Sequence, residues 1–209
     1  MIVIQNKRKK AENILKEYPN AIIADVTSAA KDGLVKLSPF YPHGGIPVPF
    51  SGNTTATCVE AIWQGLKVFE NADIDLEMFK NDTMKNIKRT VRRFGRPLGH
   101  RKGVNGTELL GYIEARKQIY IPTFRWVLEN KVTDIIERLR VAASEKTIVL
   151  LDYDTNSDVD NPKSPLSHAY LIKAYVEGLY PYNNQQEIAI ASKSNITPVQ
   201  LNHFDKYEN

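Results

Sequence analysis

The chain has 209 residues, 42% hydrophobic and 25% charged, with a formal net charge of +4. That balance suits one soluble domain with a real core. No run approaches the ~18 apolar residues of a membrane span, so no membrane partner is expected. The start, MIVIQNKRKK, is apolar first and basic second, the reverse of a secretory signal, and a cytoplasmic placement is expected. The single cysteine, Cys58, excludes an intrachain disulfide, and no Cys/His cluster has zinc-site spacing. No metal and no cofactor are expected.

In chain order, MIVIQ reads as a strand, 9–17 as a helix and AIIADVTS (21–28) as a second strand. Residues 38–55, SPFYPHGGIPVPFSGNTT, are too rich in Pro and Gly for a helix. Their aromatics, Phe40, Tyr41 and Phe50, suggest a loop that packs down or covers a ligand. A helix is expected over 58–70, with Thr57 and Glu60 matching a capping box and Val59, Ile62, Trp63, Leu66 and Phe69 as its apolar stripe. Gly65 inside it costs up to ~1 kcal/mol relative to Ala; either something approaches closely there or the helix tolerates it.

A second helix is expected over 82–94, with Met84, Ile87, Val91 and Phe94 inward and Gly95 as its stop. The block 85–102 carries Lys85, Lys88, Arg89, Arg92, Arg93, Arg96, Arg101 and Lys102 without an acid. It is either a solvated face or a phosphate-contacting surface. GRPLGHRKGVNG (95–106) is read as a basic loop that matches no nucleotide motif. Helices follow over 107–119, from Pro122 to Leu128, and from Thr133, which is read as a cap. TIVLLDY (147–153) is a strand, and TNSDVDNPKSP an acidic loop without the glycine and terminal glutamate of a calcium loop. A last helix covers 166–177, and 183–209 reads as a polar C-terminal tail. The expected fold is α+β: a mainly helical, single compact domain over 1–182 with a few short strands.

Two segments together resemble a known family. Leu37-Ser38-Pro39-Phe40-Tyr41-Pro42 is similar to an "LSNFYP" loop, and Val59–Phe69 to an "SVEHxYQAxKF" helix. Both occur in this order in the NADAR superfamily, which is NAD- and ADP-ribose-related. Gly95-Arg96 looks like its "LGR" turn, Arg116–Leu128 like its "R…VM…L" helix, and Thr147–Asp152 like its "LVE" strand with Asp152 for glutamate. The chain departs from that pattern at Pro39, at Trp63, and at Pro162–Pro165, where a "WGxGxxGxN" stretch is absent. The resemblance implies an N-glycosidase acting on a ribosyl-phosphate or an ADP-ribose-linked base. Its partners would be a small nucleotide or an ADP-ribosylated substrate. It implies Glu60 and Lys67 as the catalytic pair, with Phe40, Tyr41, Gln64, Arg96 and Asp152 around the substrate.

An oxocarbenium-like ribosyl centre needs a carboxylate and help for the leaving base. Glu60 is the acid/base candidate. Lys67, ~10 Å along a continuous helix, would bind phosphate or act as a nucleophile if desolvated. The competing expectations are a capping role for Glu60 and a non-catalytic nucleotide or nucleic-acid module built on 85–102. Trp63 is read as core, His43 as a weak site candidate, and Cys58 as a small buried residue at a helix start.

Overall fold

The computed structural model describes residues 1–181; the expected tail at 183–209 lies outside them. The opening IVIQN forms β1, Ile2–Asn6, and a short helix α1, Ala11–Glu17, leads to β2, Ile22–Asp25. Both strands pair in parallel with Ile148–Asp152, the eighth strand in chain order (β8), giving the order β1-β8-β2. β8 is buried along its whole length, which is why it reads as an unbroken apolar run rather than an alternating one. Ile14 of α1 covers Val149 and Leu151 on one face of this sheet, and the main core lies on the other.

Between β2 and β8 the chain builds the rest of the domain. A 3₁₀ turn, Gly33–Leu37, precedes the Pro/Gly loop, which closes through the two-residue pair β3, Ile46–Pro47, and β4, Thr55–Ala56. The helix expected over 58–70 is α2, Val59–Gly65, and it stops early. Lys67–Phe69 is instead strand β5. It pairs antiparallel with β6, Pro97–Arg101, and β6 pairs with β7, Leu109–Leu110. Leu66, Val68 and Phe69 form a short apolar run that satisfies either period. The partner strand, hidden inside the expected basic loop, decides for β. A 3₁₀ turn at Leu76–Lys80 packs beneath α2.

The helix expected over 82–94 shrinks to one turn, α3, Val91–Phe94. Met84 and Asn86 take left-handed backbone, φ 59° and 57°, which a helix cannot accommodate. Asn81 and Thr83 hold the alternative turn: the Asn81 carboxamide accepts from the Thr83 N–H at 3.0 Å and donates to the Lys85 carbonyl at 2.9 Å. Val91, expected inward, is 61% exposed, whereas Ile87 is buried as expected. Gly95 ends the turn at φ 82°.

The helices expected over 107–119 and from Pro122 form one run that starts later: α4, Tyr112–Ala115, a π-helical turn, Arg116–Tyr120, and α5, Ile121–Asn130. Pro122 cannot donate to the carbonyl four residues back and would clash with it; the wider turn falls where that conflict arises. α6, Thr133–Glu145, follows with Val132, not Thr133, at its cap. After β8 the acidic loop leads to α7, His168–Val176, capped by Ser167. Ile62, Leu66, Ile119, Phe124, Leu128, Ile136, Leu150 and Leu171 share one buried cluster. The product is the expected α+β domain, mainly helical with short strands. No helix among the described residues is long and apolar enough to cross a membrane.

Gly65 needs its missing side chain because a Cβ there would lie 2.3 Å from Phe79 Cε1 and 3.0 Å from the Asp75 carbonyl. Gly65→Ala is therefore expected to destabilise the fold by about 1–3 kcal/mol, read as a lowered denaturation midpoint with an unchanged urea m-value.

Candidate functional site

The carboxyl ends of β2 and β8 open into a cleft of about 370 Å³. Open parallel sheets offer ligand crevices at such strand ends. The segment leaving β2 contributes Thr27 and Ser28, and β8 contributes Asp152 and the following Tyr153 and Asp154. α2 supplies Glu60, Trp63 and Gln64, Lys67 follows from β5, and Phe40 comes from the loop above.

Glu60 does not cap its own helix. The N-cap is Cys58, whose sulfur accepts from the Ala61 N–H at 3.3 Å, and Thr57 donates its hydroxyl to the Asn81 carbonyl at 2.6 Å. The capping-box expectation is thereby overturned: Cys58 takes the cap role assigned to Thr57, the Thr57 N–H goes to the Phe79 carbonyl at 2.9 Å, and the Glu60 side chain is left for the cleft. Its backbone N–H is held by the Pro39 carbonyl at 2.9 Å, which joins the Ser38–Pro42 loop to α2.

Glu60 is only 8% exposed. Burial raises its carboxyl above the ordinary 4.5, against the opposing hydrogen bond of Gln64 and the charges of Lys67, Lys88 and His168. Gln64 Nε2 donates to Glu60 Oε1 at 2.8 Å, while Gln64 Oε1 accepts from the Arg89 N–H at 3.2 Å and Lys67 Nζ at 3.4 Å. The fixed backbone donor of Arg89 sets the orientation of the amide. Because α2 ends at Gly65, Lys67 does not stand two helical turns from Glu60, as a continuous helix would place it. The strand swings its ammonium back over the Trp63 ring, 5.7 Å from the centroid. Burial lowers the Lys67 ammonium, opposed by Glu60 and reinforced by Arg89 and Lys88.

Asp152 holds the opposite wall. Its Oδ1 accepts from the Tyr153 N–H at 2.7 Å. Its Oδ2 accepts from Ser167 Oγ at 2.8 Å, His168 Nδ1 at 2.9 Å and the Ala169 N–H at 3.3 Å. Burial alone would raise this carboxyl; the bonds from His168, Ser167 and Ala169 outweigh it and hold it below the ordinary 3.8. His168 Nε2 meets the Val26 carbonyl at 2.9 Å. With an acceptor at each nitrogen, the ring keeps both protons. Burial would lower His168, yet Asp152 raises it above 6.5. His168 is therefore a positioned cation with no nitrogen free for proton transfer.

Of the basic block, only Lys88 reaches the cleft lining, with its ammonium 5.7 Å over the Phe40 ring. The Arg89 guanidinium turns inward and donates to the carbonyls of Lys67 and Asp73 at 2.6 and 2.8 Å, closing the α2–β5 junction. Arg96 and Tyr41, expected at the substrate, do not line the cleft. Arg96 is exposed and paired with Glu70 at 3.3 Å, because β6 begins beside it and points it outward. Tyr41 packs against His43 at 4.8 Å, and His43 is held by the Lys36 carbonyl at 2.8 Å. Cys58 is buried with its thiol pushed up to about 11, which leaves it a poor nucleophile. Trp63, expected as core, forms cleft wall; its other side stacks on the buried His100 at 3.8 Å.

The lining residues that were not sequence candidates include Tyr112, Arg116 and Tyr120. Their four-residue spacing was visible, but each such step drifts ~40° around an α-helix. The π turn offsets that drift and keeps all three on one face. Arg116, 2% exposed, donates to the carbonyls of Val159, Asn161 and Ser164 at 2.8–2.9 Å. It organises the acidic loop from within.

Residues 6–172 match the model of a family described as a family of unknown function, DUF6939. The chain belongs to that family. No curated protein matches it. The span shared with DUF6939 contains every residue that lines the cleft.

Asp152 contributes stability that is full above 3.8 and lost as pH falls through its lowered value; His168 contributes stability that is full below 6.5 and lost as pH rises through its raised value. Unfolding midpoints measured from about pH 3 to about pH 9 should fall on both flanks. Asp152→Asn should cost about 3–5 kcal/mol near neutrality and flatten the alkaline flank.

Proposed function

We propose that this DUF6939 protein is an N-glycosidase that cleaves the bond between a base and a ribosyl-phosphate or ADP-ribosyl group. The observation that carries the reading is Glu60: a carboxylate buried in a cleft, not used by its own helix, and sharing that cleft with Lys67 and Phe40. Burying a carboxylate beside only one hydrogen-bond donor costs stability, and such groups cluster at functional sites. The similarity of the Ser38–Pro42 and Val59–Phe69 segments to NADAR proteins points to the same chemistry.

In this mechanism the C1′–N bond breaks as positive charge develops on the ribosyl ring. Glu60 stabilises that charge as carboxylate and takes the proton of the water that adds to C1′. Its raised pKa suits it to return that proton. The released base departs carrying one proton from solvent or from Glu60. Lys67 and Lys88 neutralise the phosphate, and Phe40 offers its ring to the base. Asp152 acts through His168 and Ser167 as a positioning residue, its Oδ2 already holding three donors.

The competing reading is a polyanion-binding module. Lys85, Lys88, Arg92 and Arg93 are exposed and have no acidic partner among the described residues, whereas Arg96, Arg101 and Lys102 are paired.

Release of free base from a panel of ribosyl-phosphate N-glycosides, followed by chromatography, decides between them. Glu60→Gln is expected to lower turnover at least ~100-fold with little change in melting temperature. Salt-sensitive polyanion binding that Glu60→Gln leaves intact, without base release by the parent, would favour the second reading.

A further inference from the structure

Several of the polar groups lining the cleft are engaged. Asp152 accepts from four donors, and both nitrogens of His168 are occupied. The terminal nitrogens of Arg116 sit on loop carbonyls, and Gln64 is bonded at both ends of its amide. Two others stand apart. Glu60 accepts a single hydrogen bond, from Gln64. Tyr120 lines the same cleft, and its hydroxyl takes part in no hydrogen bond among the described residues.

Tyr120 is held firmly by its ring. It stacks parallel to Phe124 at 6.3 Å and meets Trp63 edge-on at 5.7 Å. It closes the π-helical turn, a local distortion that recurs at functional sites. The charges of Glu60 and Asp152 both act on its phenol, and with burial they keep it protonated. It is therefore a fixed donor that shares its cleft with a carboxylate that has acceptor capacity to spare. One group satisfies both at once: an aliphatic hydroxyl, which donates to Glu60 and accepts from Tyr120. A flat base edge would need two separate atoms to do the same.

We infer that Tyr120 is a ligand-contacting residue that, together with Glu60, clasps one sugar hydroxyl of the ligand on the cleft floor. The inference rests on the ribosyl reading above and adds to it a residue and a contact. The clasp fixes the sugar, leaving the phosphate to Lys67 and Lys88 and the base to the Phe40 side.

Isothermal titration of the whole protein with two probes, ADP-ribose and inorganic phosphate, tests this on the parent and on Tyr120→Phe, with melting temperature measured for both. Phe keeps the ring contacts, so an unchanged melting temperature is expected. ADP-ribose should bind about tenfold more weakly to the variant, the factor of one lost hydrogen bond, while phosphate binds equally to both. Equal ADP-ribose affinity in parent and variant would overturn the clasp and leave the ribosyl reading standing. A parent that binds phosphate but not ADP-ribose would overturn both. Equal weakening of phosphate and ADP-ribose in the variant would also overturn the clasp, since it would mark a general distortion of the cleft.

Discussion

The Asp152 carboxylate is the point at which the domain is tied together. It stands at the carboxyl end of the central, fully buried strand, and it accepts from the start of α7 through Ser167, His168 and the Ala169 amide. Through His168 the tie extends to the Val26 carbonyl at the exit of β2. Three elements therefore converge on one ion pair, and the cleft is the space left beside it. Buried pairs of this kind are weak evidence for stability, because desolvation opposes their attraction. Here the pair fixes geometry: it ties the start of α7 to the ends of β8 and β2.

Against that wall, α2 presents a carboxylate of opposite character. Asp152 has four donors and is held toward its ionised form; Glu60 has one donor and is pushed toward its neutral form. Two carboxyl groups whose surroundings drive their pKa values apart are the usual basis for assigning distinct roles. The same logic separates the cations. Arg89 and Arg116 spend their guanidinium groups on backbone carbonyls and act as internal fasteners, whereas Lys67 and Lys88 keep their charge toward the cleft, each beside an aromatic ring.

The fold class, the flanking strands, β8 and α6 were legible because their patterns are long or unbroken. Glu60, Gln64, Lys67 and Phe40 were legible as a set through the two resembling segments. The boundaries between them were not. Leu66 to Phe69 fits helix or strand until β6 is known to pair with it. Residues 82–90 carry an apolar spacing of helical type, but Asn81 and Thr83 bond locally and turn the chain. Arg96 and Tyr41 were placed by the same resemblance, and their orientation depends on where β6 begins and on His43. Tyr120 and Arg116 were hidden because the π turn that aligns them has no sequence signature beyond Pro122.

The central claim is that Glu60 is a buried carboxyl facing the cleft and displaced from ordinary titration. A carbon-13 NMR titration of the glutamate side-chain carboxyls, with Glu60 assigned by comparison with Glu60→Gln, measures this directly. The account predicts a Glu60 midpoint clearly above the ordinary 4.5, shifting further on Lys67→Ala as a neighbouring positive charge is removed. A midpoint at or below 4.5, unmoved by Lys67→Ala, would contradict it.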